Sequence, residues 1–341
     1  MMDTAKERFN WLDLARGFVI ILMLIGHSWG VPPLVVQAIF GFHIPFFFIL
    51  SGYLYNRDKY NQLGIKKLIK MRWKAYVIPY FVLSFVNLII NIPVELVDGL
   101  RGKELLTSTI HHFFWIFYSW GSAARTPNCT PLWFLPCLFI ASIYFYYLLK
   151  IKSISLQIVM CVSAIVLDVV LYIFKVPQLP WHIETALIGA VFMYVGLKMK
   201  EFKIMEKIEH RIPFIIIGMI LGFYCIFTNP RIDINSNTLN NVVLLYAGSI
   251  SVTFSILLLC KYYVKRCTFL EWFGRNTILI MGFNCAINMY TKGIWEIILK
   301  LGNKVNLTWW MLSIVDVICC MIIIWVWGKI RAGGNRMRRS I

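Results

Sequence analysis

Three ionisable residues lie in the first long hydrophobic stretch of the chain, and their spacing places them along one stripe of a helix. Arg16 and His27 are eleven residues apart. At about 100° per residue, a helix brings the second side chain to within about 20° of the first and about 16 Å further along the axis. Asp13 lies about 60° from Arg16 on the same helical wheel. Ionisable groups inside a membrane are costly and usually functional, so these three residues are the first candidates for chemistry.

The residue types suggest different roles. A neutral imidazole can take a proton from a hydroxyl group, which suits His27 to general base catalysis. Arg16 stays protonated, so it can hold Asp13, bind a phosphate or carbonyl oxygen, or stabilise developing negative charge. The alternative for His27 is structural, because a histidine near a membrane boundary can hydrogen-bond to lipid headgroups or water. Gly26 beside it permits the close approach of another backbone.

A second histidine lies in the next hydrophobic stretch, from Phe40 to Tyr53. His43 precedes Pro45 by two residues, and a proline inside a helix removes a backbone donor and predicts a kink. A kink frees carbonyl groups that can line a cavity. We therefore predict that His43 binds substrate, with a simple hydrogen bond to a neighbouring helix as the alternative.

The composition indicates that membrane helices position these residues. The 341 residues are 59% hydrophobic and 15% charged, with a mean hydropathy of +0.70, which excludes a soluble globular protein. Stretches of about 20 apolar residues, each able to cross roughly 30 Å of hydrocarbon, recur along the chain. We predict one all-α polytopic membrane domain over residues 1–341. Its ten predicted transmembrane helices are 10–30, 34–55, 73–93, 131–149, 154–174, 181–199, 211–228, 241–263, 277–298 and 308–328.

One aromatic segment lies outside these spans. The residues from His111 to Trp120 are too few to cross a membrane, so we predict an interfacial or re-entrant piece within the connection 94–130. A longer helix there would give an eleventh span.

The basic residues are distributed asymmetrically between the two sides. The net charge is +18, which in a soluble protein would suggest a nucleic-acid partner. Here 25 of the 34 Lys and Arg residues fall in segments predicted to be cytoplasmic and seven in outer segments. The positive-inside rule then predicts that both termini are cytoplasmic, and we expect no nucleic-acid partner.

The termini and cysteines support the same class of protein. Asp3 and Glu7 precede the first span, and no cleavage pattern follows it, so we expect that span to be retained. The nine cysteines show no paired metal spacing, and no bound metal is expected. Cys129 stands alone in an outer loop, so no disulfide framework is predicted.

A basic amphipathic segment precedes the third span. From Leu63 to Ala75, basic and apolar residues alternate at helical spacing, which is typical of a helix on the cytoplasmic leaflet. We predict that Lys67, Lys70 and Arg72 bind a phosphorylated donor such as a coenzyme A. The alternative is that they determine topology and attract anionic lipid, and the two roles are compatible.

Further polar residues fall within the predicted spans. Asp168 and Glu184 are placed in the outer half, like His27, and are predicted to bind substrate, as is the aromatic residue Trp133. Asp316 is placed nearer mid-membrane, where pairing with another helix is the alternative to function. Lys292 and Glu296 are four residues apart on one helix and can satisfy each other.

The motifs of the first two spans resemble those of a known family. The run from Asp13 to Gly17, the Arg16-x10-His27 spacing and the run from His43 to Tyr53 are similar to the opening of the acyltransferase-3 family of integral membrane O-acyltransferases. The branch that the chain most resembles is the fucose 4-O-acetylase-like one. Shorter similar segments continue along the chain: Arg72-x6-Pro79-Tyr80, Pro131 to Pro136, Leu187 to Gly196 and Phe273 to Met281.

The resemblance implies about ten helices and the transfer of an acyl group, usually acetyl from cytoplasmic acetyl-CoA, to a hydroxyl of a glycan or another acceptor. By resemblance, Arg16 and His27 correspond to the essential motif of the family. Many relatives carry a histidine eight residues past the asparagine of Gly-Arg-Asn-Thr, where this chain has Asn284. Asparagine cannot exchange a proton near neutral pH. We therefore predict that Asn284 binds substrate, that His27 is the base, and that Asp13 and Arg16 complete the catalytic set.

The leading hypothesis is direct O-acetyl transfer from cytoplasmic acyl-CoA to a cell-surface glycan or lipid-linked saccharide. We expect acetyl-CoA as a substrate and no permanently bound cofactor. The expected partners are membrane lipid and the saccharide. The expected location is the bacterial inner membrane, and the oligomeric state stays open. The alternatives are a transporter or flippase for an envelope saccharide precursor and a non-catalytic partner in envelope synthesis.

Overall fold

The computed structural model describes residues 9–122, 124–126, 130–230, 232–300 and 308–337, and it is built of helices. The chain is 82% helical, and the described residues contain no strand, only one isolated antiparallel bridge between Asp233 and Thr238. The helices in chain order are α1 (Asn10–His27), α2 (Pro33–Phe40), α3 (His43–Tyr53), α4 (Arg57–Arg72), α5 (Ile78–Val97), α6 (Gly102–Tyr118), α7 (Phe134–Leu148), α8 (Ile154–Ile173), α9 (Ile183–Glu201), α10 (Ile204–Lys207), α11 (Arg211–Thr228), α12 (Val242–Leu259), α13 (Thr268–Arg275), α14 (Thr277–Lys300) and α15 (Trp309–Met337).

Short segments of other helical types join some of these helices. A π-helical turn, Trp73–Val77, continues α4 into α5, and a second, Cys260–Val264, follows α12. The 3₁₀ turns Thr130–Trp133 and Pro180–His182 lead into α7 and α9. Buried side chains from all of these helices except α2 form one hydrophobic cluster within the described residues.

The predicted membrane spans coincide with the observed helices. Within the described ranges, nine helical stretches are long and apolar enough to cross a membrane, and they match nine of the ten predicted spans. The tenth prediction, 277–298, coincides with α14, a 24-residue helix that carries the polar residues Asn284, Asn288 and Lys292. The prediction of an all-α polytopic membrane protein is confirmed.

The second span is broken where the sequence predicts a kink. Helix α2 ends at Phe40 and α3 begins at His43. Because Pro45 has no N–H, the Gly41 carbonyl four residues earlier lacks its usual helical donor. The Ser249 hydroxyl of α12 donates to that carbonyl oxygen at 2.6 Å. The break therefore places His43 at the start of a helix, beside backbone groups that are available for other contacts.

The connection between α5 and α7 contains more helix than the sequence pattern indicates. Helix α6 begins at Gly102, nine residues before the predicted aromatic segment, and ends at Tyr118. It runs antiparallel to α5. The Tyr80 hydroxyl, near the start of α5, donates to the Ile116 carbonyl near the end of α6 at 2.6 Å, and the Ser108 hydroxyl of α6 donates to Glu95 near the end of α5 at 2.5 Å. The first turns of α6 are polar, so the hydropathy of the sequence does not indicate where this helix begins.

Segments predicted to lie on the same side of the membrane meet in the structure. At one end, Lys261 lies 5.5 Å from the Trp11 ring and pairs with Glu206. At the other end, Gln37 donates to the Asn229 carbonyl at 2.8 Å. The structure thus agrees with the prediction of which loops share a side of the membrane. That the side rich in Lys and Arg faces the cytoplasm stays a prediction.

The structure shows the state of the cysteines and one ion pair that the sequence predicts. All cysteines within the described ranges are free thiols, and Cys129 lies outside those ranges. Lys292 and Glu296 form the predicted pair, with 3.6 Å between Nζ and Oε1.

Helices α1 and α13 cross at a pair of glycines. A Cβ atom on Gly17 would lie 1.7 Å from the Leu270 carbonyl oxygen, and one on Gly274 would lie 1.8 Å from the Asp13 carbonyl oxygen. Only glycine at both positions allows the two backbones to approach this closely. The crossing joins the Asp-Leu-Ala-Arg-Gly and Phe-Gly-Arg-Asn-Thr motifs, which are more than 250 residues apart in the chain.

The glycine crossing can be tested by substitution. We expect Gly274→Ala to lower the free energy of unfolding by roughly 1–3 kcal/mol or more, because the new methyl group cannot fit beside the Asp13 carbonyl. Thermal unfolding of the purified protein in detergent measures the effect. Gly293→Ala is the matched control, since a Cβ there meets nothing within 4 Å. Equal stability of both variants would contradict this packing.

Candidate active site

A cavity of about 370 Å³ lies between α1, α3, α7 and α14. Both Arg16 and His27 line it, as the helical spacing predicts, and so do His43 and Trp133. The remaining lining residues are Ile20, Met23, Phe40, Ile44, Phe47, Leu50, Ser51, Tyr76, Thr130, Pro131, Phe134, Leu135, Leu138, Asp233, Ile234, Asn235, Thr277, Ile278 and Met281. The wall is therefore largely apolar, with a few polar groups at its two ends.

The polar lining residues divide between an Arg16 end and a His27 end. Ser51, Tyr76 and Thr277 are at the Arg16 end, where α3 approaches its C-terminus and α14 begins. Asp233 and Asn235, from the loop between α11 and α12, are at the His27 end. Because Arg16 and His27 are separated by about 16 Å of helical rise, the cavity is elongated along α1.

An ion-pair network fixes the Arg16 end. The Asp13 carboxylate lies between two guanidinium groups, 3.4 Å from Arg16 Nη1 and 3.2 Å from Arg275 Nε. Arg275 Nη2 in turn donates to Glu271 Oε2 at 2.9 Å. Asp13 does not line the cavity and its side chain is 7% exposed. It therefore acts on the site by positioning Arg16, whose side chain is 32% exposed.

Polar contacts from α14 and α15 hold the backbone around His27. Asn288 Nδ2 donates to the His27 carbonyl at 2.5 Å, and Asn288 Oδ1 accepts from the Trp29 amide at 3.1 Å. The Ser28 hydroxyl donates to Asp316 Oδ2 at 2.6 Å. Asp316 also accepts from Thr291 at 3.0 Å, so it pairs between helices, one of the two roles considered from the sequence.

The side chain of His27 faces another histidine, and a carboxylate lines the same cavity. The ring centroid of His27 lies 6.4 Å from that of His43 and 5.0 Å from that of Phe40. Asp233 lines the cavity with them, and its Oδ1 accepts from the Asn235 amide at 3.1 Å. The arrangement therefore places an imidazole that can accept a proton in a cavity that also holds a carboxylate.

Trp133 forms part of the wall at the His27 end. It belongs to the 3₁₀ turn before α7, and its ring lies 4.4 Å from the ring of His182. Gly121 packs against its edge, since a Cβ on Gly121 would lie 2.9 Å from Trp133 Cδ1. One face of the indole is thus covered by protein, while part of the side chain borders the cavity.

Three predicted substrate-binding residues lie away from the cavity wall. Asn284 is fully buried and contacts Met23, with 3.5 Å between Nδ2 and Sδ. Asp168 on α8 is also fully buried, and Glu184 lines a separate cavity of about 30 Å³. A role of these residues in substrate binding stays a prediction, and the structure brings none of them to the lining of the large cavity.

The predicted donor-binding residues lie on α4, next to the Arg16 end. Lys67 and Lys70 are exposed. Arg72 is partly buried, and its Nη1 donates at 2.8 Å to the hydroxyl of Tyr76, a lining residue of the cavity. Leu68, which is fully buried, anchors α4 to the rest of the protein. A cationic surface is therefore adjacent to this end of the cavity.

Sequence reasoning missed three residues that the structure brings to the site. They are Arg275, which shares Asp13 with Arg16, Asn288, which holds the His27 carbonyl, and Asp233, which lines the cavity. Arg275 follows Gly274 in the segment from Phe273 to Met281, which resembles the acyltransferase-3 family, and this position is a signal in the sequence. Asp233 lies in one of the longer loops, and nothing in its spacing relates it to His27.

Comparison with known proteins identifies a family for the chain. A family model described as an acyltransferase domain, acyltransferase-3, matches residues 9–327. No curated protein and no solved structure matches the chain. The match covers all residues that line the cavity.

Proposed function

Because this chain belongs to the acyltransferase-3 family and is a membrane acyltransferase, we propose that it transfers an acetyl group from cytoplasmic acetyl-CoA to a hydroxyl of a cell-surface glycan or lipid-linked saccharide. The fucose 4-O-acetylase-like branch and the bacterial inner membrane are parts of the same proposal. The family match favours this function over a transporter and over a non-catalytic assembly partner.

The observation that carries the proposal is the single cavity that reaches from Arg16 to His27. If the side of the protein rich in Lys and Arg faces the cytoplasm, acetyl-CoA must enter the cavity beside Arg16 while its acyl group reacts beside His27. These residues are separated by about 16 Å along the helix, so a compact donor could not contact both. A thioester at the tip of a long, narrow arm suits a cavity of this shape.

The distance also limits what Arg16 can do. A guanidinium at the far end of the cavity is too remote to stabilise an oxyanion beside His27, so of the roles open to arginine we assign it donor binding through a phosphate or carbonyl oxygen. Asp13 and Arg275 fix its position. Arg72, through Tyr76, extends the basic surface outward from the same end.

The reaction follows from the groups at the His27 end. The acceptor hydroxyl oxygen attacks the thioester carbonyl carbon while His27 takes the hydroxyl proton. The tetrahedral intermediate collapses with cleavage of the carbon–sulfur bond, and the proton on His27 passes to the departing thiolate. Asp233 stabilises the imidazolium while it carries the proton. The products are an O-acetyl ester and free coenzyme A, and no covalent enzyme intermediate is required.

Labelled donor tests the activity and the role of His27. Membranes that contain the protein are supplied with acetyl-CoA carrying an isotopic label in the acetyl group, and extracted glycan and lipid are assayed for the label. We expect His27→Ala to lower incorporation by roughly 10²–10⁴-fold, because the general base is lost. His210→Ala is the matched control, since His210 is exposed and lies outside the cavity. Wild-type membranes that move a saccharide without incorporating label would instead support a transporter.

The role of Arg16 is tested by a substitution that keeps its charge. We expect Arg16→Lys to raise the KM for acetyl-CoA by roughly tenfold, because lysine cannot form the two-pronged contacts of a guanidinium. The kcat should fall less, since the residue is remote from the bond that breaks. Saturation kinetics with labelled acetyl-CoA measure both constants. An unchanged KM with a large loss in kcat would contradict donor binding and place Arg16 at the reacting atoms.

A further inference from the structure

The His27 end of the cavity holds two imidazoles rather than one. Their centroids are 6.4 Å apart and their planes are nearly perpendicular, at 88°. The ring of Phe40 lies 5.0 Å from each of them. One acyl transfer releases one proton from the acceptor hydroxyl, and only one of the two histidines can accept it. The other histidine must therefore have a different role.

A backbone hydrogen bond fixes the tautomer of His43. Its Nδ1 lies 3.0 Å from the Ile39 carbonyl oxygen, and because a carbonyl oxygen only accepts, Nδ1 carries the hydrogen. The break between α2 and α3 brings this carbonyl within reach. In the neutral ring, Nε2 therefore presents a lone pair. No hydrogen bond joins Nε2 to another residue of the described chain, although His43 is 5% exposed and lines the cavity.

The hydrogen bond of His43 leaves the transferred proton to His27. The Nδ1 hydrogen of His43 faces an uncharged carbonyl, and Asp233 lines the cavity at the His27 end. Once His27 is protonated, its positive charge opposes a second positive charge on the neighbouring ring. His43 thus stays neutral during the reaction and serves as a hydrogen-bond acceptor in a largely apolar wall.

We propose that His43 Nε2 accepts a hydrogen bond from a second hydroxyl of the acceptor, adjacent to the hydroxyl that His27 deprotonates. The enzyme would then select a sugar unit with two neighbouring free hydroxyl groups. This inference rests on the proposed function and names the class of acceptor. An acceptor without the second hydroxyl leaves a buried lone pair unpaired, which should slow transfer roughly ten- to a hundredfold.

Two amide substitutions separate the two nitrogen atoms of His43. The amide of His43→Asn can replace Nδ1 and keep the bond to Ile39, but it leaves nothing at the position of Nε2. The amide of His43→Gln reaches the Nε2 position and offers an oxygen acceptor there, while the Ile39 carbonyl still accepts from the Phe42 amide at 3.2 Å. In the labelled-acetyl assay we expect Asn to lower transfer roughly ten- to a hundredfold and Gln to retain most of it. Thermal unfolding should show both variants folded.

The labelled product provides an independent readout. Periodate cleaves carbon–carbon bonds between adjacent free hydroxyls, so removal of the ester by mild base should expose an additional periodate-sensitive bond at the acetylated position. Wild-type transfer by the Asn variant, equal loss in both variants to the level of His27→Ala, or a product that gains no periodate-sensitive bond after de-esterification would each overturn the inference. Absence of incorporation by the wild-type protein would instead refute the proposed function itself.

Discussion

The crossing of α1 with α13 is the contact on which the geometry of the site depends. Gly17 and Gly274 let the two backbones touch, and at that point Arg275 reaches the Asp13 carboxylate that also binds Arg16. A carboxylate shared by two guanidinium groups is held in place, and it holds its partners in turn. The same crossing sets the rotation of α1 about its own axis, and that rotation determines whether the stripe from Arg16 to His27 faces the cavity.

A membrane makes the polar groups of this helix expensive unless each is matched. At the far end of α1 the matching comes from other helices: Asn288 and Asp316 satisfy the His27 carbonyl and the Ser28 hydroxyl. At the break between α2 and α3, Ser249 donates to the Gly41 carbonyl, which lacks its helical donor, and His43 adds a second hydrogen bond to the Ile39 carbonyl. Arg16, His27, His43 and Asp233 also line the cavity, so the polar groups of the proposed site are concentrated there.

Periodicity alone predicts a large part of this arrangement. The shared stripe of Arg16 and His27 and the break near Pro45 follow from helical geometry and from the missing proline donor, and both are observed. What the sequence does not predict depends on contacts between distant segments. The loop that carries Asp233 reaches the cavity only through tertiary packing. For Asp168 and Glu184, the sequence predicts only a depth in the membrane similar to that of His27, and depth does not determine which face of a helix points inward.

The central claim is that one cavity joins a donor entrance beside Arg16 to an acceptor position beside His27. The most direct test is an experimental structure of the protein with a non-hydrolysable acetyl-CoA analogue bound. The account predicts that the donor arm runs along α1 past Arg16 and that its carbonyl carbon lies next to the His27 ring. A donor arm that ends outside this cavity, or that reaches His27 from the Asp233 side, would contradict it.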